Sequence, residues 1–119
     1  NHLNTSLQLT LFNQILQNFV QNAIKFTPNE KSIAIRLKKT KEKIIITVTD
    51  EGIGIPENVD LFAPFKRIGN QSGVGLGLFL AKNAADALRA KITLVNRDDQ
   101  KSGCVAKLIL RSNTSKDII

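Results

Sequence analysis

Tryptophan, tyrosine and methionine are absent from the 119 residues, which include one cysteine, one histidine and three prolines. A single cysteine excludes an internal disulfide framework, and nothing else marks a secreted mini-protein, so the setting is read as reducing and cytoplasmic. A chain of this length buries roughly two-thirds of its extended surface as one compact domain, so folding requires neither crosslink nor metal. The longest apolar runs, such as Ile44, Ile45 and Ile46, fall far below the roughly 18 residues of a membrane helix. No basic start, apolar core and small-residue cleavage site opens the chain. It begins with Asn1 and reads as an excised piece of something longer. Acidic residues are also scarce, 10 Asp and Glu against 17 Lys and Arg, for a formal charge of +7. Clustered cations of that number would suit nucleic acid. Here they are dispersed, and the densest stretch (Lys38, Lys39, Lys41, Lys43) falls where a hairpin turn belongs. No aromatic residue is interleaved with it to stack bases. A solvated basic surface is expected, and no nucleic-acid partner.

What is present is well patterned. From Thr10 to Phe26, the residues Leu11, Ile15, Phe19 and Ala23 recur at four-residue steps, flanked by Phe12, Leu16 and Val20. This is the stripe of an amphipathic helix, capped by Thr10 and ended by Pro28. Ile33, Ile35 and Leu37 then alternate with polar residues. A Lys-rich turn follows, and Ile44, Ile46 and Val48 alternate again up to Asp50, which predicts a hairpin. Residues 51 to 75 hold most of the glycines and two of the three prolines, a long irregular connection of the functional kind. A second helix is expected from about Leu76 to Leu88, with Leu80, Ala84 and Leu88 on one face. Two closing strands follow, Ile92 to Val95 and Cys104 to Leu110. Residues 1–9 and 111–119 read as frayed ends of the single domain.

Four stretches could carry chemistry. Asn18 and Asn22 share a helix face, with Lys25 one turn beyond. Asparagine is a mediocre helix former, so the pair is either an exposed polar face or a set of amide oxygens for a hard cation, with Lys25 on phosphate oxygens. Asp50 opens Asp50-Glu51-Gly52-Ile53-Gly54-Ile55-Pro56. Its carboxylate either closes an Asx turn or accepts a hydrogen bond from a ligand's amino group beside a bare backbone. Gly73-Val74-Gly75-Leu76-Gly77-Leu78 places alternate glycines where a helix starts, a possible phosphate cradle that matches neither Walker-type nor dinucleotide-binding spacing. Between them, Phe62-Ala63-Pro64-Phe65-Lys66-Arg67 offers two anchoring rings and a cation, by themselves equally a core anchor and a solvated arginine.

The order of these four elements resembles the catalytic and ATP-binding domain of two-component sensor histidine kinases, of the GHKL superfamily (Bergerat-type fold). Residues 18–28 are similar to its asparagine box, 50–56 to its first glycine box, 62–67 to its phenylalanine box and 73–78 to its second glycine box. The resemblance spans about residues 10 to 110. It implies Asn22 as the Mg2+ ligand, Asn18 and Lys25 near the phosphates, and Phe26 against adenine. Asp50 would receive the adenine amino group, Gly52 and Gly54 would admit the base, and Ile53 and Ile55 would line its pocket. Residues 57–72 would form a lid, with Phe65 beside the nucleotide and Arg67 on phosphate. Gly73, Val74, Gly75, Leu76, Gly77 and Leu78 would close around the triphosphate.

The superfamily's hydrolytic members carry a Glu general base one turn before the metal-binding Asn. That position here is Asn18, which has no basic pair to take a proton, so poor hydrolysis is expected. The chain departs from the family pattern in placing Phe26 where Tyr is common and Cys104 where Thr or Ser follows the glycine. His2 lacks the neighbours of a phosphoacceptor motif. The expected fold is an α/β (α+β) two-layer sandwich, a mixed, mostly antiparallel sheet with the helices on one face. The expected activity is transfer of the γ-phosphoryl of ATP, with Mg2+, to a histidine on a separate dimerisation and phosphoacceptor domain, and onward to a response regulator. Alternatives are a GHKL ATPase switch, an anti-sigma-type serine kinase or a degenerate ATP-binding module. The isolated domain would be monomeric and cytoplasmic, the parent kinase a homodimer whose membrane anchoring the sequence leaves open.

Overall fold

The structure is a computed structural model and describes residues 5–55, 62, 77–99 and 101–111. Two helices, α1 (Thr5–Phe26) and α2 (Gly77–Leu88), pack on one face of a four-stranded sheet. The strands are β1 (Ile33–Lys39), β2 (Lys43–Asp50), β3 (Lys91–Asn96) and β4 (Cys104–Arg111), in the spatial order β1-β2-β4-β3. This is the expected α+β two-layer sandwich. All three pairings are antiparallel, so the sheet of the described residues is not mixed. The two strands that flank α2 in sequence, β2 and β3, do run the same way, but β4 inserts between them and pairs with both. The result is a split βαβ unit.

Alternation along the strands sets the layer. Ile46 and Val48 of β2, Ala106, Leu108 and Leu110 of β4, and Ile92 of β3 point at the helices and are buried with Ile15, Phe19 and Ala23 of α1. From α2, the buried residues are Ala81, Ala84 and Ala85. The expected face of Leu80, Ala84 and Leu88 is therefore rotated by about one residue, and Leu80 is 42% exposed. Small side chains at the contact let α1 and α2 approach closely, and that packing outweighs the burial of one leucine. Leu88 remains half-buried against the core. The C-terminus of α2 closes with Arg89 N–H bonded to Asp86 O at 3.1 Å and Ala90 N–H to Ala85 O at 2.8 Å. This is a Schellman pair with Arg89 in the left-handed region at φ 58°.

α1 starts five residues before the expected start at Thr10. No proline or glycine interrupts 5–10, and the Thr10 hydroxyl donates to Ser6 O at 3.0 Å within the helix rather than capping it. Residues 5–9 are thus helical turns and not a frayed end. The helix stops at Phe26, two residues before Pro28, as expected. On β1, Ile35 and Leu37 are 56% and 69% exposed. They share the helix-side face with Val48 and Ile46 through the β1–β2 register, but the edge strand lies beyond the cover of the two helices.

Candidate functional site

Along α1, Asn18, Asn22 and Phe26 stand four apart, beside the buried Ile15, Phe19 and Ala23 stripe, and all three are half-buried. At the Asn18 end the neighbour is the start of α2: a Cβ placed on Gly77 would lie 2.9 Å from Asn18 Oδ1. At the Phe26 end the neighbour is the loop after β2: a Cβ on Gly52 would lie 2.5 Å from Phe26 O. The stripe therefore bridges two glycine-bearing segments about 25 residues apart in sequence, over a helical rise of about 12 Å. Asn18 Nδ2 donates to Gln14 O at 2.9 Å, which leaves Oδ1 toward Gly77. Among the described residues, the Asn22 amide has no hydrogen-bond partner. The exposed Lys25 ammonium stands 5.8 Å from the Phe26 ring centroid, a cation–π distance.

Asp50 is the buried polar residue of the core, 7% exposed. Its Oδ1 accepts from Gly52 N–H at 2.8 Å and from Cys104 N–H at 3.0 Å. The first bond is the Asx turn foreseen as one alternative. The second joins the loop to the first residue of β4. Among the described residues, no donor reaches Oδ2. The Asx-turn alternative for Asp50 is therefore present, and it occupies one of the two carboxylate oxygens. Ile55 is half-buried, whereas Ile53 is 60% exposed.

The β3–β4 turn holds this loop in place, and its residues escaped the sequence reading. Ile55 N–H donates to Asn96 Oδ1 at 2.7 Å, and Asn96 Nδ2 donates back to Ile55 O at 3.0 Å, a reciprocal amide clasp. Arg97 Nη1 donates to Asp50 O at 3.1 Å, and the Ser102 hydroxyl to Gly52 O. Gly103, at φ 135°, lies so close to Asp50 O that a Cβ would overlap it. A polar turn following a strand is the only signal that could have pointed here. Arg97 is fixed in turn by Asp99, with Nε–Oδ1 and Nη2–Oδ2 distances of 3.1 and 2.6 Å. That fork holds the Asp99 carboxyl below its usual pKa, against a smaller opposing effect of burial. Glu51 is likewise held low, chiefly by the Ser32 hydroxyl donating to its Oε2 at 2.6 Å. The Cys104 thiol is pushed up to about 11 by burial and then by the charge of Asp50. It is protonated at neutral pH, in keeping with a structural strand residue.

Phe62 packs against the hydrophobic core, as its anchoring role requires. Phe65, Arg67, Gly73, Val74, Gly75 and Leu76 lie outside the described residues. Leu78, in the first turn of α2, packs half-buried against the core.

The groups present suit a nucleotide with a divalent cation. Asp50 leaves one carboxylate oxygen for an amino group, and Asn22 leaves an amide oxygen. Among the described residues, no cluster of three or more His, Cys, Asp or Glu side chains could hold a metal by itself. If magnesium were held here, the Asn22 amide oxygen would be the protein group to meet it, an oxygen donor of the kind this hard cation prefers, and the ion would supply charge neutralisation beside phosphate.

Comparison with known proteins decides the family. Residues 8–114 match the histidine kinase-, DNA gyrase B- and HSP90-like ATPase family. The chain belongs to this family. Sensor protein KdpD of Mycobacterium tuberculosis is 34% identical over 88 residues, which cover 70% of this chain and 10% of that protein. The catalytic domain of histidine kinase ThkA, solved free of nucleotide, superposes with a TM-score of 0.74 at 30% identity, covering 92% of this chain and 68% of that one. Full-length ShkA in complex with AMPPNP shares the fold, with a TM-score of 0.70 at 22% identity over 84% of this chain and 21% of that one. The chain spans only 10 to 23% of the length of curated relatives such as KdpD and the Escherichia coli sensor protein CreC. Among the described residues, no helix is long and apolar enough to cross a membrane.

Proposed function

We propose that this ATPase-family domain binds Mg-ATP and donates the γ-phosphoryl group to a histidine on a separate dimerisation and phosphoacceptor domain, within two-component signalling. The observation that carries the reading is the α1 stripe. Asn18, Asn22 and Phe26 run from the start of α2 to the loop after Asp50, over a length that suits a nucleotide from triphosphate to base.

In this reading Asp50 Oδ2 accepts the adenine 6-amino group while Oδ1 holds the loop. Phe26 and Ile55 flank the base. Asn22 holds Mg2+, which neutralises charge on the phosphates when bound. Lys25 and Arg67 neutralise more of it, and Gly73, Val74, Gly75, Leu76, Gly77 and Leu78 close around the triphosphate through backbone N–H groups. The bond from the γ-phosphorus to its bridging oxygen breaks, ADP leaves, and a phosphorus–nitrogen bond forms to the neutral imidazole of the acceptor. Such a site works by positioning and charge neutralisation. Asn18, with no basic pair, supplies no general base for water, and this favours transfer over hydrolysis. An aspartate of a response regulator would take the group next, and the parent kinase would act as a homodimer.

Calorimetric titration with Mg-ATP and Mg-GTP tests the first half. ATP should bind and GTP should not, and Asn22→Ala should abolish the Mg2+-dependent part of the affinity. Unchanged affinity in that variant would remove the metal assignment. Incubation with a supplied phosphoacceptor domain should give acid-labile, base-stable phosphate. Acid-stable phosphate would identify a serine kinase, and rapid hydrolysis by the domain alone an ATPase switch.

A further inference from the structure

Strand alternation gives the sheet a second face, turned away from the helices. Its rows follow from the register. Ala34, Thr49, Val105 and Val95 form one row across all four strands, Arg36, Thr47, Lys107 and Thr93 the next, and Lys38, Ile45, Ile109 and Lys91 a third. Lys43 and Arg111 then stand directly opposite each other. None of these residues is fully buried, so nothing within the described residues covers the face. Six of its side chains are cationic and none is acidic.

Among the described residues, none of the six makes an ion pair. At the edge of the first row, Glu51, Asp98 and Asp99 line a pocket shared with Ala34, Arg36, Thr49 and Val105, and there Glu51 is bonded to Ser32 and Asp99 to Arg97. Like charges opposite each other on one sheet face weaken it, so the Lys43–Arg111 pair is a standing cost that neighbouring residues do not offset. Between Lys38 and Lys91, at the centre of the cations, lie Ile45 and Ile109, each half-buried. An apolar centre inside a charged rim is the anatomy of a protein–protein interface.

We propose that this face docks an acidic protein surface, one presenting carboxylates around an apolar centre. Neighbouring cations are spaced by the strand separation of about 4.8 Å and by two-residue steps of about 6.8 Å. Long-range attraction from such a single-sign face speeds encounter and makes binding steeply salt-dependent. Nucleic acid is disfavoured because none of the six phenylalanines belongs to the four strands, which leaves bases nothing to stack on. The surface lies opposite the α1 stripe across the sheet, so it does not depend on the nucleotide reading.

The test uses the whole domain with poly-L-glutamate as probe and amide chemical shifts as readout. Shifts should concentrate on the four strands and vanish at high salt. Lys38→Glu with Lys107→Glu should weaken binding at least about tenfold, and the neutral pair Lys38→Gln with Lys107→Gln by less. Lys82→Glu with Arg89→Glu, the same charge change on α2 and at the residue that closes it, should alter it less than about twofold. Nucleotide affinity, measured in parallel, should stay constant in all three. Equal weakening by the α2 pair would overturn the proposal, since net charge alone would then explain binding. So would tighter binding of single-stranded DNA or of phosphatidylserine vesicles through the same strands, or no binding of poly-L-glutamate at low salt.

Discussion

The two ends of the α1 stripe differ in what holds them. At the Asp50 end, the protein supplies its own bonds: five hydrogen bonds tie residues 50–55 to residues 96–104 and a sixth closes the Asx turn within the loop, and none of them needs a ligand. At the Asn18 end, Asn18 Nδ2 is bonded to Gln14 O, but the amide oxygens are left unspent among the described residues. Asn22 has no partner among the described residues, and Asn18 Oδ1 faces a glycine at the start of α2. The contrast teaches that the Asp50 end is a feature of the sheet and is shaped without a ligand. On the proposed reading the base would meet this ready-made end, and the phosphates would meet an end whose donors and acceptors a ligand would complete.

Glycine substitution at the two ends separates them most sharply. Gly103→Ala puts a methyl onto the Asp50 carbonyl at a backbone φ of 135°, and neither strand can move without losing its ladder. A loss of about 3 kcal/mol or more is expected, with Tm falling by more than about 10 °C in a thermal melt. Gly77→Ala meets only the tip of the Asn18 side chain, which can rotate, and alanine is the better helix former. Its stability should stay within about 1 kcal/mol of the parent. Equal losses at the two positions would erase the contrast.

Asp50 sharpens it further, because its two oxygens have different duties. Asp50→Ala strips acceptors from two backbone N–H groups and should cost about 3 kcal/mol in denaturant titrations, before any ligand is added. Asp50→Asn keeps an acceptor oxygen for those N–H groups and should fold nearly as well, yet lose preference for ATP over GTP. If Asp50→Asn were as unstable as Asp50→Ala, the carboxylate would be needed for the fold by its charge, and the division between its oxygens would be wrong.

Much of this was legible along the chain, because its periodicities are local. The α1 stripe, both strands of the hairpin, α2 and the closing strands follow from spacing, and Asn18, Asn22, Asp50 and the glycines stand out by residue type. What was not legible depends on β4 inserting between β2 and β3. Only that pairing carries positions 96–104 to the side of residues 50–55, across more than 40 residues of sequence. Local pattern holds no record of such a contact, so Asn96, Arg97 and Ser102 read as an ordinary polar turn. The rotated face of α2 was hidden for a related reason. Counting apolar residues favours Leu80, but the approach of two helices favours Ala81, Ala84 and Ala85.

The turn residues supply the next, smaller test. Asn96→Ala removes both bonds of the clasp on Ile55 and should cost about 1 to 2 kcal/mol, since each net hydrogen bond contributes roughly 1. The larger consequence should be in nucleotide affinity, through a loosened Ile55. Asn96→Asp keeps the acceptor for Ile55 N–H but loses the donor, and should fall between alanine and the parent. Affinity unchanged in Asn96→Ala, alongside lost stability, would mean that the clasp serves the fold alone.

The smallest effect is expected from Asp99, and its pH dependence gives it a signature. The Arg97 fork lowers the folded-state pKa of Asp99 below the usual 3.8. A depressed carboxyl pKa contributes stability that is complete above the unfolded value and disappears as pH falls through the folded one. Asp99→Asn should therefore unfold at slightly lower denaturant than the parent at neutral pH, and the gap should close as the solution is acidified below 3.8. Glu51 contributes an acid limb of the same sign through Ser32, which Asp99→Asn leaves in place. A gap that persists undiminished at about pH 2 would show that Asp99 braces Arg97 by shape and neutral hydrogen bonding rather than by charge. The Asp50 end would then be held by packing of the turn, and its rigidity would no longer depend on the state of its carboxylates.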